Sequence, residues 1–202
     1  MWKCGIVVDV MKLQLFLLCL IPGILLAEDL KALKPEVGPP VIQELMGGCC
    51  LRCAFPWTVE IPGQKGKKAV DYATNDSSAD TAWVDENPNG SVGSKLIFRF
   101  PQKLPAELQE TPFYGIDFAS GFLKSEELWK QYARIKRARI SYNGKPLYDL
   151  VFKDTRRWQK FSFDDILVKA GDQMTMEILE IYPGTQHQKN VAVTEIVLQG
   201  AH

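Results

Sequence analysis

The segment RIKRARISYNGKPLYDLV, from Arg134 to Val151, constrains the fold of this chain more than any other stretch. Isoleucine and alanine alternate with arginine and lysine up to Asn143-Gly144, which is typical of a strand with one buried face. Asn-Gly is a preferred pair for a two-residue hairpin turn because both residues tolerate a positive φ. The segment therefore predicts two antiparallel strands joined by a tight turn.

Period-two segments separated by turn residues continue along the chain. In KLIFRF, the residues Leu96, Phe98 and Phe100 share one face, and Pro101 ends the run. Further strands are predicted in FPWTVEIP, YGIDFASGFL, WQKFSF, QMTMEILEIY and NVAVTEIVLQG. The apolar spacing of QMTMEILEIY also fits a helix, but the Pro-Gly pair that follows and the Met/Thr alternation favour a strand.

Only KSEELWKQY is predicted as a helix, of one or two turns. Several short strands without alternating helices predict an all-β fold, a sandwich or a barrel, and not a parallel βαβ sheet. The chain is long enough for one well-buried domain of about 150 residues. One β domain with short helical turns in its loops is therefore expected.

The amino terminus is predicted to be an export signal. MKLQLFLLCLIPGILLA, from Met11 to Ala27, has a lysine, an apolar core and a final small residue, which is the layout of a cleaved signal peptide. Its run is shorter than the ~20 apolar residues of a spanning helix, although an uncleaved anchor is the competing interpretation. The predicted divisions are a signal over 1–27 with Met11 as an alternative start, a Pro/Gly-rich lead-in over 28–53, and a sandwich over 54–202. The mature chain is then periplasmic, surface-exposed or secreted, without a transmembrane span.

The lead-in carries three cysteines, Cys49, Cys50 and Cys53. An oxidising compartment allows one disulfide and leaves one thiol over, and free thiols or a redox centre are alternatives. Cys50–Cys53 and Cys49–Cys53 are the close-range pairings, and the remaining thiol is available to a disulfide-linked partner. A zinc site is the competing interpretation, but the chain offers only His187 and His202 as further ligands of the usual kind.

The charge balance and the absence of catalytic motifs argue against nucleic-acid binding and enzymatic activity. Lys+Arg and Asp+Glu balance at 24 each, so no net field favours nucleic acid, and no basic stripe interleaved with aromatics occurs. The sequence contains no GxSxG, HExxH, P-loop or GxGxxG motif, and two histidines supply a His-dependent triad poorly. The sequence therefore predicts a protein that is not an enzyme and does not bind nucleic acid.

A polar loop before KLIFRF carries a family resemblance. DSSADTAW, from Asp76 to Trp83, is similar to the D-G-x-x-x-T-x-W loop of discoidin-type (coagulation-factor C-type) domains, a galactose-binding-like jelly-roll family. SVGSKLIFRF, FKDTRRWQKF and IYPGTQHQKNVAVTEIVL follow in the order seen in the NADase-type glycan-binding domain, a non-catalytic module associated with translocation. The resemblance covers roughly 69–200. It implies a jelly-roll antiparallel β-sandwich that binds glycans.

The resemblance also implies a structural calcium ion. The positions that match the family's carboxylate ligands are Asp76 in the loop and Glu195 in the last strand, and calcium prefers hard oxygen ligands at ~2.4 Å. A capped turn and a solvated strand residue are the competing interpretation of these two acids. The chain departs from the family pattern at four positions, Ser77 and Ser91 in place of Gly, Tyr132 in place of Asn and Asn190 in place of Asp.

Aromatic and planar polar side chains on predicted loops are the candidates for sugar contact, because a pyranose offers C–H faces and hydroxyl edges. Trp83 is assigned to the core instead, and Tyr182 is a further candidate that would also suit a strand end. The rival functions are an envelope interaction protein with the same sandwich but no sugar binding, and an enzyme with an unrecognised site. The glycan-binding candidates are Trp129, Tyr132, Arg156, Arg157, Trp158 and His187.

Overall fold

The computed structural model describes residues 30–41, 57–62, 76–103 and 111–200. These residues form the helix α1 (Glu126–Gln131) and the strands β1 (Lys31–Leu33), β2 (Glu36–Pro40), β3 (Thr58–Glu60), β4 (Trp83–Val84), β5 (Lys95–Arg99), β6 (Thr111–Ser120), β7 (Tyr132–Tyr142), β8 (Lys145–Val151), β9 (Arg157–Val168), β10 (Gln173–Tyr182) and β11 (His187–Gly200). The predicted all-β fold with one short helix is confirmed. The predicted signal peptide and the three lead-in cysteines, Cys49, Cys50 and Cys53, lie outside the described residues.

The strands form two sheets joined at one seam. The first sheet has the order β3-β5-β10-β7-β8-β1, and the second has the order β2-β9-β6-β11-β4. The seam is a short parallel contact in which His187 and Val191 of β11 pair with Tyr132 and Ala133 of β7. Strand β1 also runs parallel to its partner β8, whereas the other ladders between named strands are antiparallel.

The core lies between the two sheets and is rich in phenylalanine. Phe152, which follows β8 of the first sheet, makes edge contacts with Phe118 and Phe161 of the second sheet, each with ring centroids 4.8 Å apart. These three rings are almost fully buried, and each contributes about 2 kcal/mol through removal from water. The sandwich architecture predicted from the sequence is confirmed by this packing.

Trp83 belongs to this core. Its side chain is 4% exposed, and it pairs with Val193 in the β4–β11 ladder. The polar loop before it therefore ends where the chain enters the second sheet. The predicted assignment of Trp83 to the core is confirmed.

The strand and turn predictions hold in detail. Leu96, Phe98 and Phe100 are all buried on one face of β5 and the residue after it. Asn143 and Gly144 have φ values of 47° and 80°, the two positive values that a type I′ hairpin turn requires. They join β7 to β8 as expected.

The helix α1 begins at a serine cap. The hydroxyl of Ser125 accepts a hydrogen bond from the backbone N–H of Leu128, while Glu126 and Glu127 occupy the first turn. Acidic residues at this end interact favourably with the helix dipole. The helix of one or two turns predicted in KSEELWKQY is therefore confirmed, with six residues. No helix within the described residues is long and apolar enough to span a membrane.

Part of the predicted lead-in is folded into the sandwich. Strand β1 pairs with β8 at the edge of the first sheet, and β2 pairs with β9 at the edge of the second. The EVGPP sequence of β2 was not predicted as a strand because proline and glycine weaken the strand signal. Proline is nevertheless tolerated here, because an edge strand leaves one row of N–H positions unpaired.

Candidate functional site

Three chain connections meet at one end of the sandwich. Strands β8 and β10 both end beside the start of β7, where Val151 pairs with Arg137 and Tyr182 pairs with Arg134. The connection that follows β6 begins close to the same place, because Gly121 bridges to Val193 of β11, two residues after the Val191–Ala133 pair of the seam. We call this end the rim and define it as residues 121–132, 152–156 and 183–187.

An aromatic cluster lies on the rim. The rings of Tyr132 and His187 are stacked, with centroids 4.2 Å apart and planes 10° apart. The ring of Phe122 also contacts that of Tyr132, with centroids 5.9 Å apart and an angle of 46° between the ring planes. His187 is exposed, whereas Tyr132 and Phe122 are half-buried. The cluster is held by the β7–β11 seam, in which Tyr132 and His187 are paired residues.

Trp129, also on the rim, lies against the backbone at the end of β6. Its indole N–H donates to the carbonyl of Ser120 across 3.2 Å. A Cβ atom at Gly121, whose φ is +95°, would lie 2.3 Å from the Cδ1 atom of Trp129. The glycine is therefore required both by the backbone conformation and by the close approach of the indole ring.

Arg134 lies over one face of the indole. Its guanidinium carbon lies 4.6 Å from the Trp129 ring centroid, and the side chain is almost buried. Nε and Nη2 donate to the two carboxylate oxygens of Asp154 at 3.0 and 2.8 Å. Nη1 donates to the carbonyls of Tyr132 and Pro183 at 2.9 and 3.2 Å. One guanidinium thus joins the three segments of the rim.

The remaining glycan-binding candidates divide between two places. Arg156 donates to the carbonyl of Leu123 at 3.2 Å and so contacts the rim. Arg157 donates to the carbonyl of Gly38 at 2.7 Å, and a Cβ atom at Gly38 would lie 3.1 Å from the Cβ atom of Trp158. The structure therefore brings Trp129, Tyr132 and His187 together with Arg156 nearby, and it places Arg157 and Trp158 against β2.

Tyr182, the further candidate, lies at the end of β10. Its hydroxyl donates to the carbonyl of Phe152 at 3.0 Å, and its ring is half-buried. This contact ties the end of β10 to the connection between β8 and β9. The residue therefore holds the end of β10 next to the rim.

Sequence reasoning did not identify Phe122, Arg134 and Asp154 as parts of this site. Phe122 lies within the segment YGIDFASGFL, in which a strand was predicted, and Arg134 is one of several alternating basic residues in β7. Arg134 is 20 residues from Asp154 and 49 residues from Pro183 in the chain. No local spacing links such partners, so only the fold reveals their association.

The Asp76 loop lies against the last strand. The carboxylate of Asp76 accepts the N–H of Ser78 at 3.0 Å and the hydroxyl of Thr81 at 2.6 Å. The N–H of Ser77 donates to Oε2 of Glu195 at 3.0 Å. Glu195 is 1% exposed. The two acids predicted as calcium ligands thus flank the same turn of the loop.

The side chains of Asp76 and Glu195 offer oxygen ligands, the type that calcium prefers. Within the described ranges, no group of three or more His, Cys, Asp and Glu side chains is placed to hold a metal ion. Asp76 and Glu195 would therefore supply carboxylate oxygens, with the other ligands coming from backbone carbonyls and water. Oxygen ligands of this type suit calcium and not zinc.

Two departures from the family pattern acquire structural roles. The buried hydroxyl of Ser91 accepts the N–H of Val191 at 2.8 Å. The amide of Asn190 donates to the carbonyls of Asp85 and Asn87 at 2.8 and 3.1 Å. An ionised aspartate has no proton to donate, so asparagine at this position fixes the connection between β4 and β5 to β11 in a way that aspartate would not.

Comparison with known proteins gives a family match and several similar folds. The model of a family described as the NAD glycohydrolase translocation F5/8 type C domain matches residues 58–199. The CBM32-1 and CBM32-2 domains of ZmpB from Clostridium perfringens are similar to this chain, with a TM-score of 0.53 and 12% identity over 83% of this chain and 41% of that one. The structure of the same domains in complex with GalNAc gives a TM-score of 0.54 and 12% identity, over 83% and 39% of the two chains.

A third ZmpB structure, which also contains the M60 catalytic domain, gives a TM-score of 0.50 and 13% identity over 73% of this chain and 14% of that one. At these identities the likeness concerns the fold alone. The alignments span less than half of those solved chains. No curated protein matches this sequence significantly.

Proposed function

Since the chain belongs to the NAD glycohydrolase translocation F5/8 type C domain family, we propose that it is an exported, non-catalytic module that binds carbohydrate at the rim. The observation that carries the proposal is the stack of Tyr132 on His187, with ring centroids 4.2 Å apart at an exposed end of the sandwich. The GalNAc complex of the C. perfringens domains supports a glycan as the class of ligand, because their fold is similar to this one.

The chemistry of the rim suits a sugar ring. An aromatic face attracts the C–H face of a pyranose, while planar polar groups accept or donate hydrogen bonds to its hydroxyl edge. His187 provides an exposed ring with polar nitrogens, and Tyr132 supports that ring from below. Trp129 and Arg156 extend the surface along the same rim. Arg157 and Trp158 form a second, separate candidate surface against β2.

Calcium is the proposed structural cofactor. It would be held by Asp76 and Glu195, which the Ser77 hydrogen bond places on either side of one turn. Glu195 lies in β11, the strand that also carries His187. An ion at this loop would supply positive charge that offsets the repulsion between two carboxylates. It would thereby stabilise the second sheet next to the rim.

A glycan array with the purified mature chain tests the binding function. His187→Ala and Tyr132→Ala remove the stack, and each should weaken binding roughly two- to tenfold, because an aromatic contact contributes roughly 0.5–1.5 kcal/mol. Trp158→Ala is the matched control, since it removes an aromatic candidate that lies against β2. Loss of binding only in Trp158→Ala would move the site to the β2 surface.

Two outcomes would replace the proposal. A folded wild-type protein that retains no glycan on the array would favour the rival function, an envelope interaction protein with the same sandwich. Hydrolysis of NAD or of a glycoside by the pure chain would contradict the non-catalytic role.

A further inference from the structure

We propose that Arg134 is a positioning residue, which holds Trp129 and the Tyr132–His187 stack in one fixed arrangement. The relevance of that arrangement to ligand binding rests on the proposed function of the rim. The positioning itself is a property of the free protein and is tested without any ligand. Arg134 would not contact the sugar, because it is almost buried behind Trp129.

The hydrogen bonds of Arg134 are of a kind that only arginine makes. A guanidinium has five N–H donors in one rigid plane, and four donor–acceptor pairs are formed here. Two form a bidentate pair with Asp154, and two reach the carbonyls of Tyr132 and Pro183. Lysine would retain the charge but would lose the planar fork and most of these bonds.

The partners of Arg134 come from all three segments of the rim. Trp129 and Tyr132 lie in residues 121–132, Asp154 lies in residues 152–156, and Pro183 lies in residues 183–187. Residues 121–132 and 183–187 are also joined by the Tyr132–His187 pairing and by backbone hydrogen bonds. The guanidinium contacts both of these segments and Asp154 at once, so it helps to fix residues 152–156 relative to the other two.

The indole of Trp129 has little freedom between its neighbours. Its Cδ1–Nε1 edge meets the backbone at Gly121, where even a Cβ atom would lie 2.3 Å from Cδ1. One face of the ring meets the Arg134 guanidinium, whose carbon lies 4.6 Å from the ring centroid. The N–H is bonded to Ser120. Removing the guanidinium would uncover the ring face that it contacts, so the indole should change its position or mobility.

The 183–187 segment depends on the same region. The N–H of Thr185 donates to the carbonyl of Lys130 at 2.9 Å, and the N–H of Gln186 donates to that of Gln131 at 3.2 Å. His187 follows directly and stacks on Tyr132. A shift of the Pro183 carbonyl, once released by Arg134, would therefore propagate to the histidine through this short segment.

Fluorine NMR of the full chain labelled with 5-fluorotryptophan tests the inference. Trp129→Phe assigns the Trp129 resonance, and Trp83→Phe assigns the core reference. We expect Arg134→Lys to shift or broaden the Trp129 resonance and to leave the Trp83 resonance in place. Arg139→Lys is the matched control, because it disturbs an arginine pair with the buried Asp149 on the first sheet and should change neither resonance.

A second variant keeps the test decisive if Arg134→Lys fails to fold. Asp154→Asn changes an exposed residue and weakens the bidentate pair from the other side, so it should shift the Trp129 resonance in the same direction. An unchanged Trp129 resonance in the folded Arg134→Lys variant, or in Asp154→Asn where Arg134→Lys does not fold, would overturn the inference. Equal changes at Trp129 and Trp83 would also overturn it, since they indicate general loosening.

The binding arm uses GalNAc and galactose as probes. If wild-type protein binds either sugar, Arg134→Lys should weaken that binding at least tenfold while the Trp83 resonance stays fixed. Unchanged affinity together with a shifted Trp129 resonance would refute the link to binding. If wild-type protein binds no glycan, the proposed function fails, and the fluorine spectra alone decide whether Arg134 positions Trp129.

Discussion

The backbone N–H of Ser77 donates a hydrogen bond to the Glu195 carboxylate across 3.0 Å, over a separation of 118 residues in the chain. Because Ser77 directly follows Asp76, this bond holds the part of the loop that carries Asp76 against the strand that carries Glu195. Two carboxylates held beside one turn repel each other unless a cation or hydrogen-bond donors offset their charge. The geometry thus makes the proposed calcium ion testable through stability.

Chelation should lower the melting temperature of the wild-type protein. An ion that binds only the folded state at 100 times its Kd adds about 2.7 kcal/mol, which corresponds to about 5–10 °C for a domain of this size. Asp76→Ala should remove the sensitivity to EDTA. Asp80→Ala, in the same loop, should retain it. A melting curve of the wild-type protein that EDTA leaves unchanged would exclude the structural ion.

Ser77→Gly should stabilise the protein. Ser77 has a φ of 56°, in the left-handed region that costs a residue with a Cβ roughly 1–2 kcal/mol. Glycine removes that cost but loses about 0.5–1 kcal/mol through its extra freedom when unfolded, so the net gain should be about 0.5–1 kcal/mol. Urea denaturation measures it. Ser162→Gly, at an exposed position in β9, should instead destabilise the protein, and a loss of stability in Ser77→Gly would contradict the strain.

The family pattern could be read from the sequence because it depends on local spacing. DSSADTAW contains the loop acid, the threonine that bonds to it and the core Trp83, and the structure joins Thr81 to Asp76 directly. The family model over residues 58–199 confirms the resemblance. The glycine expected at position 77 also has a visible reason, since Ser77 occupies a conformation that glycine adopts more easily.

The sandwich could also be predicted from local sequence patterns. The edge strand β2 and the side-chain contacts of the rim could not. Burial alternates along β5 and β10 as their sequences do. Strand β2 was not predicted, because glycine and proline are rare in strands. It forms at the sheet edge through its pairing with β9, which is distant in the sequence. The Arg134–Asp154 pair was hidden because side-chain networks join residues by fold and not by spacing.

Gly184→Ala should disrupt the rim. A Cβ atom at this position would lie 2.2 Å from the carbonyl oxygen of Gln131 and 2.5 Å from the carbonyl carbon of Tyr132. Backbone atoms of a paired strand cannot move aside cheaply, so we expect a loss of about 3 kcal/mol. Gly144→Ala is the control, because its Cβ would meet open space and only its positive φ would be strained. Its cost should be about 1 kcal/mol.

Thermal denaturation separates the two glycine variants. Gly184→Ala should melt about 6–12 °C below the wild-type protein, given roughly 2–4 °C per kcal/mol for a domain of this size. It should also lose glycan binding when folded at low temperature, because the displaced segment leads directly to His187. Equal melting temperatures for Gly184→Ala and Gly144→Ala would contradict the close approach of the two segments.

Asp117→Asn should stabilise the protein at neutral pH and not at acidic pH. Burial raises the pKa of the Asp117 carboxyl above its usual 3.8, against the lowering effects of Lys160 and of the hydrogen bond from Gln199, with a further raising effect of Glu36. A raised pKa in the folded state means that the stability present below pH 3.8 is lost as the pH rises through the folded pKa. Asparagine stays neutral and still accepts the 2.8 Å hydrogen bond from Gln199.

The measurement is the difference in melting temperature between Asp117→Asn and the wild-type protein from pH 3 to pH 8. The difference should be smallest below pH 3.8 and should grow as the wild-type carboxyl ionises. Within the described residues, Oδ1 of Asp117 is buried without a hydrogen-bond partner, so ionisation leaves a charge that the surrounding strands do not fully solvate. A difference that does not change with pH would show that burial does not disfavour the ionised Asp117 carboxylate.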